Sequence, residues 1–164
     1  AVKKIDISKE NISKLENSLV LFYTGIQRKA QTIERHKILS VNKNKKNLNE
    51  IYNLTQEAYK IFTNKNFDIK YLSELMRESW DIKKLLSNKV SNSVIDELYE
   101  QGIKNGALSG KILGAGGGGF MMFLVPNSRV KNKLIKNLEN FTSVNIKFEN
   151  EGSKIIHESE NDVF

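Results

Sequence analysis

The sequence predicts an α+β fold, in which a block of helices is inserted into a mainly antiparallel sheet. Residues 19–23, Leu-Val-Leu-Phe-Tyr, form a continuous apolar run that is typical of a strand buried on both faces. Helical patterns follow within residues 28–105, and after them the apolar period changes to that of strands. Because no Pro- or Ser-rich linker divides the chain, we expect a single domain over residues 1–164.

The helical block is predicted from apolar residues that recur at helical spacing. We expect helices over residues 28–39, around residues 48–62, around residues 72–80 and from Ser93 onward. Asp96 stands three residues after Ser93, the spacing of a capping box, so we expect Ser93 to begin the fourth helix.

The C-terminal half has the order strand, loop, strand, helix, strand, strand. We predict buried strands at residues 107–113 and 120–125, followed by a basic amphipathic helix capped at Asn127. Residues 144–148 alternate between apolar and polar side chains, so their strand has one face in water. A last strand is expected around residues 154–157.

The composition is that of a soluble domain with a core of its own. The chain has 164 residues, of which 39% are hydrophobic and 27% charged. It contains neither an apolar run of the roughly 20 residues that a membrane span needs nor the apolar core of a signal peptide. With no cysteine there is no disulfide and no thiolate metal site, which fits a cytoplasmic protein. His36 and His157 lack ligand spacing, and no metal site is expected.

The net charge of +7 is spread over the chain. Its densest stretch, residues 43–46, has no aromatic residue and reads as a solvated loop between helices rather than as a nucleic-acid site. Attraction of a phosphorylated substrate or a nucleotide is another use of this charge.

Residues 114–119 form a glycine loop, Gly-Ala-Gly-Gly-Gly-Gly, with five glycines in six positions. Such a run costs conformational entropy and indicates a backbone that takes positive φ or lies against another group. Its N–H groups could form a concave nest for an anion. A turn between two strands is the alternative, but ordinary hairpins need only one or two glycines.

Two common phosphate-binding motifs do not explain the glycine loop. It matches Gly-x-Gly-x-x-Gly, but that motif requires a following helix, whereas residues 120–125 are predicted to be a strand. Residues 106–111 are one residue short of a P-loop, and Ile112 replaces the Ser or Thr that binds magnesium there.

The segment from residue 106 to residue 120 resembles the third conserved motif of GHMP kinases, a family named after galactokinase, homoserine kinase, mevalonate kinase and phosphomevalonate kinase. Residues 21–30, Leu-Phe-Tyr-Thr-Gly-Ile-Gln-Arg-Lys-Ala, are similar to the strand and turn of bacterial heptose 7-phosphate-type sugar kinases. Residues 80–85 and 94–99 are similar to helices that precede the glycine motif in those kinases. The resemblance covers residues 19–157.

The resemblance implies the ferredoxin-like C-terminal domain of an ATP-dependent kinase, acting with Mg²⁺ on a heptose 7-phosphate or a related sugar for surface polysaccharide synthesis. In this family the phosphate loop and the catalytic carboxylate belong to the N-terminal domain, and these residues contain no Gly-Leu-Gly-Ser-Ser-like run. The partners implied are therefore that N-terminal domain and a sugar phosphate, not nucleic acid or membrane. The chain alone is expected to hold no catalytic residue and to be inactive.

The same resemblance implies two sets of site residues. Thr24, Gly25 and Arg28 match the family's Thr-Gly…Arg pattern and are expected at the acceptor, where a guanidinium can bind a sugar phosphate bidentately; the alternative for Arg28 is a helix surface. Lys111 either adds positive charge to the cleft or points to water from its strand. The loop expected to line the ATP cleft comprises Gly114, Ala115, Gly116, Gly117, Gly118 and Gly119.

Two functions of other classes stay open from the residues alone. One is a ferredoxin-like regulatory module that binds a small anion without catalysis. The other is a nucleic-acid binder, which needs aromatic residues on an exposed strand face. Residues 120–125 are apolar on both faces and are expected to be buried, which disfavours that interpretation.

Overall fold

The computed structural model describes residues 5–27, 30–64, 67–149 and 151–155, without the side chains of residues 30, 32 and 36. The helices and strands of this part of the chain are, in order, α1 (Lys9–Ser18), β1 (Leu19–Tyr23), α2 (Ala30–Leu39), α3 (Lys45–Thr63), α4 (Ile69–Leu85), α5 (Ser93–Lys104), β2 (Ser109–Ile112), β3 (Phe120–Leu124), α6 (Ser128–Asn137) and β4 (Ser143–Val144).

The four strands form one antiparallel sheet in the order β2-β3-β1-β4. In the central pair, Leu19 lies opposite Leu124 and Tyr23 lies opposite Phe120. This order, with α5 and α6 as the two connecting helices, is the ferredoxin-like β-α-β-β-α-β arrangement. Helices α2, α3 and α4 are inserted between β1 and α5, which confirms the predicted α+β class and the inserted helical block.

One face of the sheet builds the main core. Val20, Phe22 and Phe123 are fully buried there, and the rings of Phe22 and Phe123 meet edge to face with centroids 5.9 Å apart. Trp80 of α4 and Leu98 of α5 belong to the same buried cluster. Burial of large apolar side chains is the main free energy that holds the helices on this face.

The opposite face is covered by α1 and by the α3–α4 pair. Leu15, Leu19, Ile61, Leu75 and Leu124 form a second buried cluster between these helices and the sheet. The glycine loop lies at one end of β3, whereas Leu124 lies at the other end. The second cluster therefore packs at the strand ends that are distant from the glycine loop.

Helix α1 was not expected from the sequence. Its residues are mostly polar, and Ser8 caps it by accepting a hydrogen bond from the Asn11 backbone N–H at 3.1 Å. Only Leu15, Glu16 and Ser18 of this helix are buried. The apolar signal is too small to reveal the helix without the sheet on which it packs.

The predicted start of α5 needs a correction. Asn92, not Ser93, is the N-cap, and its Oδ1 atom accepts the Ile95 N–H at 3.1 Å. Asp96 accepts a hydrogen bond from the Ser91 hydroxyl at 2.6 Å instead of closing a capping box. The predicted cap at Asn127 is confirmed, since its Oδ1 atom accepts the Val130 N–H at 3.0 Å.

The predicted C-terminal strands were wrong in extent. Strand β4 comprises only Ser143–Val144, and residues 145–149 leave the sheet. The N–H of Phe148 is bound by the Glu16 carboxylate at 2.9 Å, so it does not continue a strand ladder. Residues 154 and 155 are not in a strand either, and the rest of the predicted last strand lies outside the described residues.

Within the described ranges, no helix combines the length and apolar character needed to cross a membrane.

Candidate functional site

The glycine loop joins two paired strands of the sheet. Strand β2 ends at Ile112 and β3 begins at Phe120, and the Leu113 N–H donates to the Phe120 carbonyl at 2.9 Å. The loop is thus closed at its base by the ladder of the sheet, as the sequence predicted for a glycine-rich connection between two strands.

Three different elements hold the carbonyl groups of the glycine loop. The Lys83 ammonium of α4 donates to the Gly114 oxygen at 2.7 Å and to the Ile112 oxygen at 3.0 Å. The Asn92 amide at the start of α5 donates to the Gly117 oxygen at 3.3 Å.

At the far end of the loop the anchor comes from the turn after β1. The Thr24 hydroxyl and the Thr24 backbone N–H both donate to the Gly119 oxygen at 2.9 Å. The conformation of the loop is therefore set by contacts with α4, α5 and β1.

Two amides of the loop are engaged inside the domain. The Gly117 N–H donates to the Val90 carbonyl at 2.8 Å, and the Gly119 N–H donates to the Ile26 carbonyl at 3.2 Å. These two groups cannot bind an anion at the same time. Any nest for a phosphate has to use other amides of the loop, and Gly114 is its most exposed residue.

The loop needs glycine for two separate reasons at Gly116 and Gly117. Their φ angles are +103° and +72°, a region that other residues rarely adopt. A Cβ atom at Gly116 would lie 2.8 Å from the Val90 oxygen, and one at Gly117 would lie 2.5 Å from the Ile33 side chain. The glycines therefore let the loop pack directly on its own scaffold.

The predicted acceptor residues divide into three cases. Thr24 is buried, and its hydroxyl is occupied, since it donates to Gly119 and accepts the Ile26 N–H at 3.3 Å. Gly25 is exposed with φ +74°, and a Cβ atom added to it would meet nothing within 4 Å. Arg28 lies outside the described residues. The Thr24–Gly25 turn and the glycine loop are thus adjacent, as expected if both line one cleft.

Lys111 lies on the other face of the sheet from the main core. Its neighbour Ile112 is fully buried in that core, and side chains alternate along a strand. The Lys111 ammonium lies 3.4 Å from the Ser79 hydroxyl of α4, and burial lowers its pKa. Lys111 borders an apolar cavity and is half-buried, so it does not point to open water, and its role in the cleft stays a prediction.

Lys83 is a cation that contacts the glycine loop, and sequence reasoning missed it. It is one of two adjacent lysines at the end of α4, Lys83 and Lys84, and only the first reaches the loop. Lys84 pairs with Asp81 at 3.0 Å. The sequence carried no signal that separates the two, because the difference depends on how α4 packs beside β2.

Among the described residues, no group of three or more His, Cys, Asp or Glu side chains is placed to hold a metal ion. In the described part of the chain, the glycine loop is a hydrogen-bonded backbone wall with the Lys83 ammonium as a supporting cation.

A ferredoxin-like sheet with inserted helices and a glycine loop fixed between β2 and β3 defines the class of small-molecule kinase domains that the sequence resembles. Residues 63–142 match the family model described as GHMP kinases C terminal. The chain belongs to the GHMP kinases, of which it carries the C-terminal domain.

Two curated relatives extend this match. The chain is 39% identical over 130 residues to a D-glycero-alpha-D-manno-heptose 7-phosphate kinase of Campylobacter jejuni, covering 77% of this chain and 37% of the relative. It is 30% identical over 148 residues to a bifunctional fucokinase/GDP-fucose pyrophosphorylase of Arabidopsis thaliana, covering 87% of this chain and 14% of the relative. The chain thus spans a little over a third of the first relative and much less of the second.

The fold is also shared with solved structures. The mevalonate kinase of Methanococcus jannaschii superposes with a TM-score of 0.71 at 25% identity, covering 90% of this chain and 44% of that one. The ferredoxin-like sheet and its helices are therefore the architecture of this family's C-terminal domain.

Proposed function

We propose that this chain is the C-terminal half of the active-site cleft of an ATP-dependent sugar kinase that phosphorylates a heptose 7-phosphate or a related sugar. The observation that carries the proposal is the double hydrogen bond from Thr24 to the Gly119 oxygen, which joins the acceptor-type turn to the glycine loop. The 39% sequence identity over 130 residues to a heptose 7-phosphate kinase supports the choice of acceptor.

The chain's contribution to such a reaction is positional. Phosphoryl transfer depends on alignment of the acceptor and on stabilisation of charge spread over the transferred group. A loop held at Gly114, Gly117 and Gly119 by three elements keeps its shape when a substrate binds. A wall that does not need to reorganise lowers the free-energy cost of reaching the transition state.

The residues of this chain fit a supporting role toward ATP and Mg²⁺. With the Gly117 and Gly119 amides bound internally, the main phosphate contacts belong to the N-terminal domain, which we propose as the partner. Mg²⁺ usually takes one or two carboxylates together with substrate phosphates, and we assign those carboxylates and the catalytic base to that domain too. Because the reaction consumes ATP, we place the protein in the cytoplasm.

The test is an acceptor panel with the complete protein that contains this chain. ADP release is measured with D-glycero-D-manno-heptose 7-phosphate, the unphosphorylated heptose, glucose 6-phosphate and mevalonate. We expect the heptose 7-phosphate to have the highest kcat/KM, with no ADP release from the 164-residue chain alone. A preference for mevalonate, or turnover by the chain alone, would contradict the proposal.

A further inference from the structure

A cavity of about 370 Å³ lies between the α3–α4 pair and the sheet face that carries Lys111. Its walls are apolar and include Leu54, Phe62, Met76, Met122 and Phe148. The volume falls within the range of about 300–1,000 Å³ that small-molecule sites occupy, and such sites are mainly apolar with few polar groups. The cavity is therefore large enough for a ligand rather than a single water molecule.

The cavity has few polar groups, and two of them lie side by side. They are the Lys111 ammonium and the Ser79 hydroxyl, 3.4 Å apart, together with Thr55, whose hydroxyl already donates to the Ile51 carbonyl at 2.8 Å. Within the described part of the chain, no carboxylate forms an ion pair with Lys111. Its only hydrogen-bond partner there is the Ser79 hydroxyl, which leaves further donors of the ammonium for a ligand.

A half-buried ammonium without a counter-charge is costly, and burial lowers the pKa of Lys111. A bound anion would supply the missing charge. Because Lys111 is the one cation among the described residues that line the cavity, a single negative charge matches it. A doubly charged phosphate would leave its second charge against apolar walls.

The cavity is separate from the glycine loop. No residue of the glycine loop lines it, and the nearest lining residues along the strands, Lys111 and Met122, each lie three residues from the loop, which is roughly 10 Å at the rise of an antiparallel strand. The segment after β4 borders it through Phe148, whose N–H is held by Glu16 at 2.9 Å. The cavity thus carries polar groups at Lys111 and Ser79 and is otherwise mainly apolar. Its edge at Phe148 is fixed by the hydrogen bond to Glu16.

We propose that this cavity binds an amphipathic monoanion, a carboxylate with an unbranched apolar chain, whose head contacts Lys111 and Ser79. The chain of the ligand lies among Phe62, Met76 and Met122. The proposal is independent of the kinase assignment, because it uses neither the glycine loop nor the turn at Thr24.

The three methionines make the test direct. Met76 and Met122 line the cavity, whereas Met121 is fully buried in the core on the other face of the sheet. The protein is labelled with ¹³C at the methionine methyl groups and titrated with decanoate below its micelle concentration. We expect saturable shifts of the Met76 and Met122 methyl signals, with Met121 unchanged.

The matched variants separate charge from apolar contact. Lys111→Leu should weaken decanoate binding at least tenfold. Lys60→Leu, which removes an exposed lysine from α3, should leave binding unchanged. Binding of 1-nonanol, which has no charge, should be equal in the wild type and in Lys111→Leu. An unshifted Met121 signal in each variant reports that the main core is intact.

Several outcomes would overturn the proposal. These are the absence of saturable shifts, equal decanoate affinity in the wild type and Lys111→Leu, and equal shifts at Met121. The titration is repeated on the complete kinase, with the same methionines assigned by substitution. If decanoate shifts Met76 in the 164-residue chain but not in the kinase, the rest of the protein covers the cavity and the proposal is wrong.

Discussion

The Nζ atom of Lys83 lies 2.7 Å from the carbonyl oxygen of Gly114, at the first residue of the glycine loop. The same ammonium donates to Ile112 at 3.0 Å, the last residue of β2. Lys83 therefore fixes the point at which the chain leaves the sheet, and it does so from α4, an element inserted into the ferredoxin-like frame.

Replacement of Lys83 by Met should loosen the glycine loop. Hydrogen bonds to a charged donor contribute about 1.5–3 kcal/mol each when buried. Since these are partly exposed, we expect a loss of about 1–2 kcal/mol in the free energy of unfolding, measured by urea denaturation. Lys60→Met, which removes an exposed pair with Glu57, should have a much smaller effect. Equal effects of the two variants would show that the Lys83 contacts contribute nothing.

Gly117 and Gly152 form a matched pair, because their φ angles are +72° and +73°. A Cβ atom at Gly152 meets nothing within 4 Å, whereas one at Gly117 would lie 2.9 Å from the Lys89 carbonyl. Gly152→Ala should cost about 1 kcal/mol of stability from backbone strain alone. Gly117→Ala should cost roughly 2 kcal/mol more through steric overlap.

The same pair tests the role of the loop in catalysis. In the complete kinase, kcat/KM should fall at least tenfold in Gly117→Ala and stay within twofold of the wild type in Gly152→Ala. Normal turnover in a folded Gly117→Ala variant would remove the glycine loop from the cleft.

Asn92 and Asn127 offer a second matched comparison. Each caps a helix through Oδ1, but only Asn92 also donates to the glycine loop, at the Gly117 oxygen. Replacement of either by Ala should cost about 1 kcal/mol of stability. Kinase activity should fall in Asn92→Ala and not in Asn127→Ala. If both variants lose activity in proportion to stability, the contact with Gly117 has no functional role.

Glu16 should make stability dependent on pH in the acidic range. The hydrogen bond from Lys147 at 2.7 Å and then that from the Phe148 N–H hold the pKa of its carboxyl below the ordinary value of 4.5. The folded state thus favours the charged form, so this contribution is complete above pH 4.5 and is lost as the pH falls through the lowered pKa.

The urea midpoint of Glu16→Gln should therefore lie below that of the wild type at pH 7, and the difference should shrink as the pH falls below 4.5. Glu139→Gln, at an exposed carboxylate after α6, serves as the control. A constant difference from pH 7 to pH 3 would show that the Glu16 carboxylate does not titrate with folding.

The sequence predicted the parts of the fold that carry strong local signals. The apolar run at Leu19–Tyr23, the second run at Phe120–Leu124 and the glycine loop between strands were all found where expected. Helix α1 was missed because its sequence is polar, and its role depends on Glu16, whose carboxylate binds residues more than 130 positions away. Contacts between residues so far apart along the chain leave no pattern in the local sequence.

The unusual backbone of the glycine loop was predictable from the sequence, whereas the side chains that hold the loop from α4 and α5 were not. Five glycines in six positions indicated a backbone with positive φ angles, and all five glycines of the loop have them. The packing of α4 beside β2 determines that Lys83, and not Lys84, contacts the glycine loop. It also places Lys111 at the cavity. Arg28 lies outside the described residues, so its role at the acceptor stays a prediction.

The span that matches the family model, residues 63–142, leaves out β1, the strand that lies between β3 and β4. A fragment cut to that span would lack both β1 and β4, and it would expose the edge of β3 along its whole length, where another chain could pair with it. It would also lose the Thr24 anchor of the glycine loop. Autonomous folding of this domain therefore requires the segment that begins some forty residues earlier, at β1.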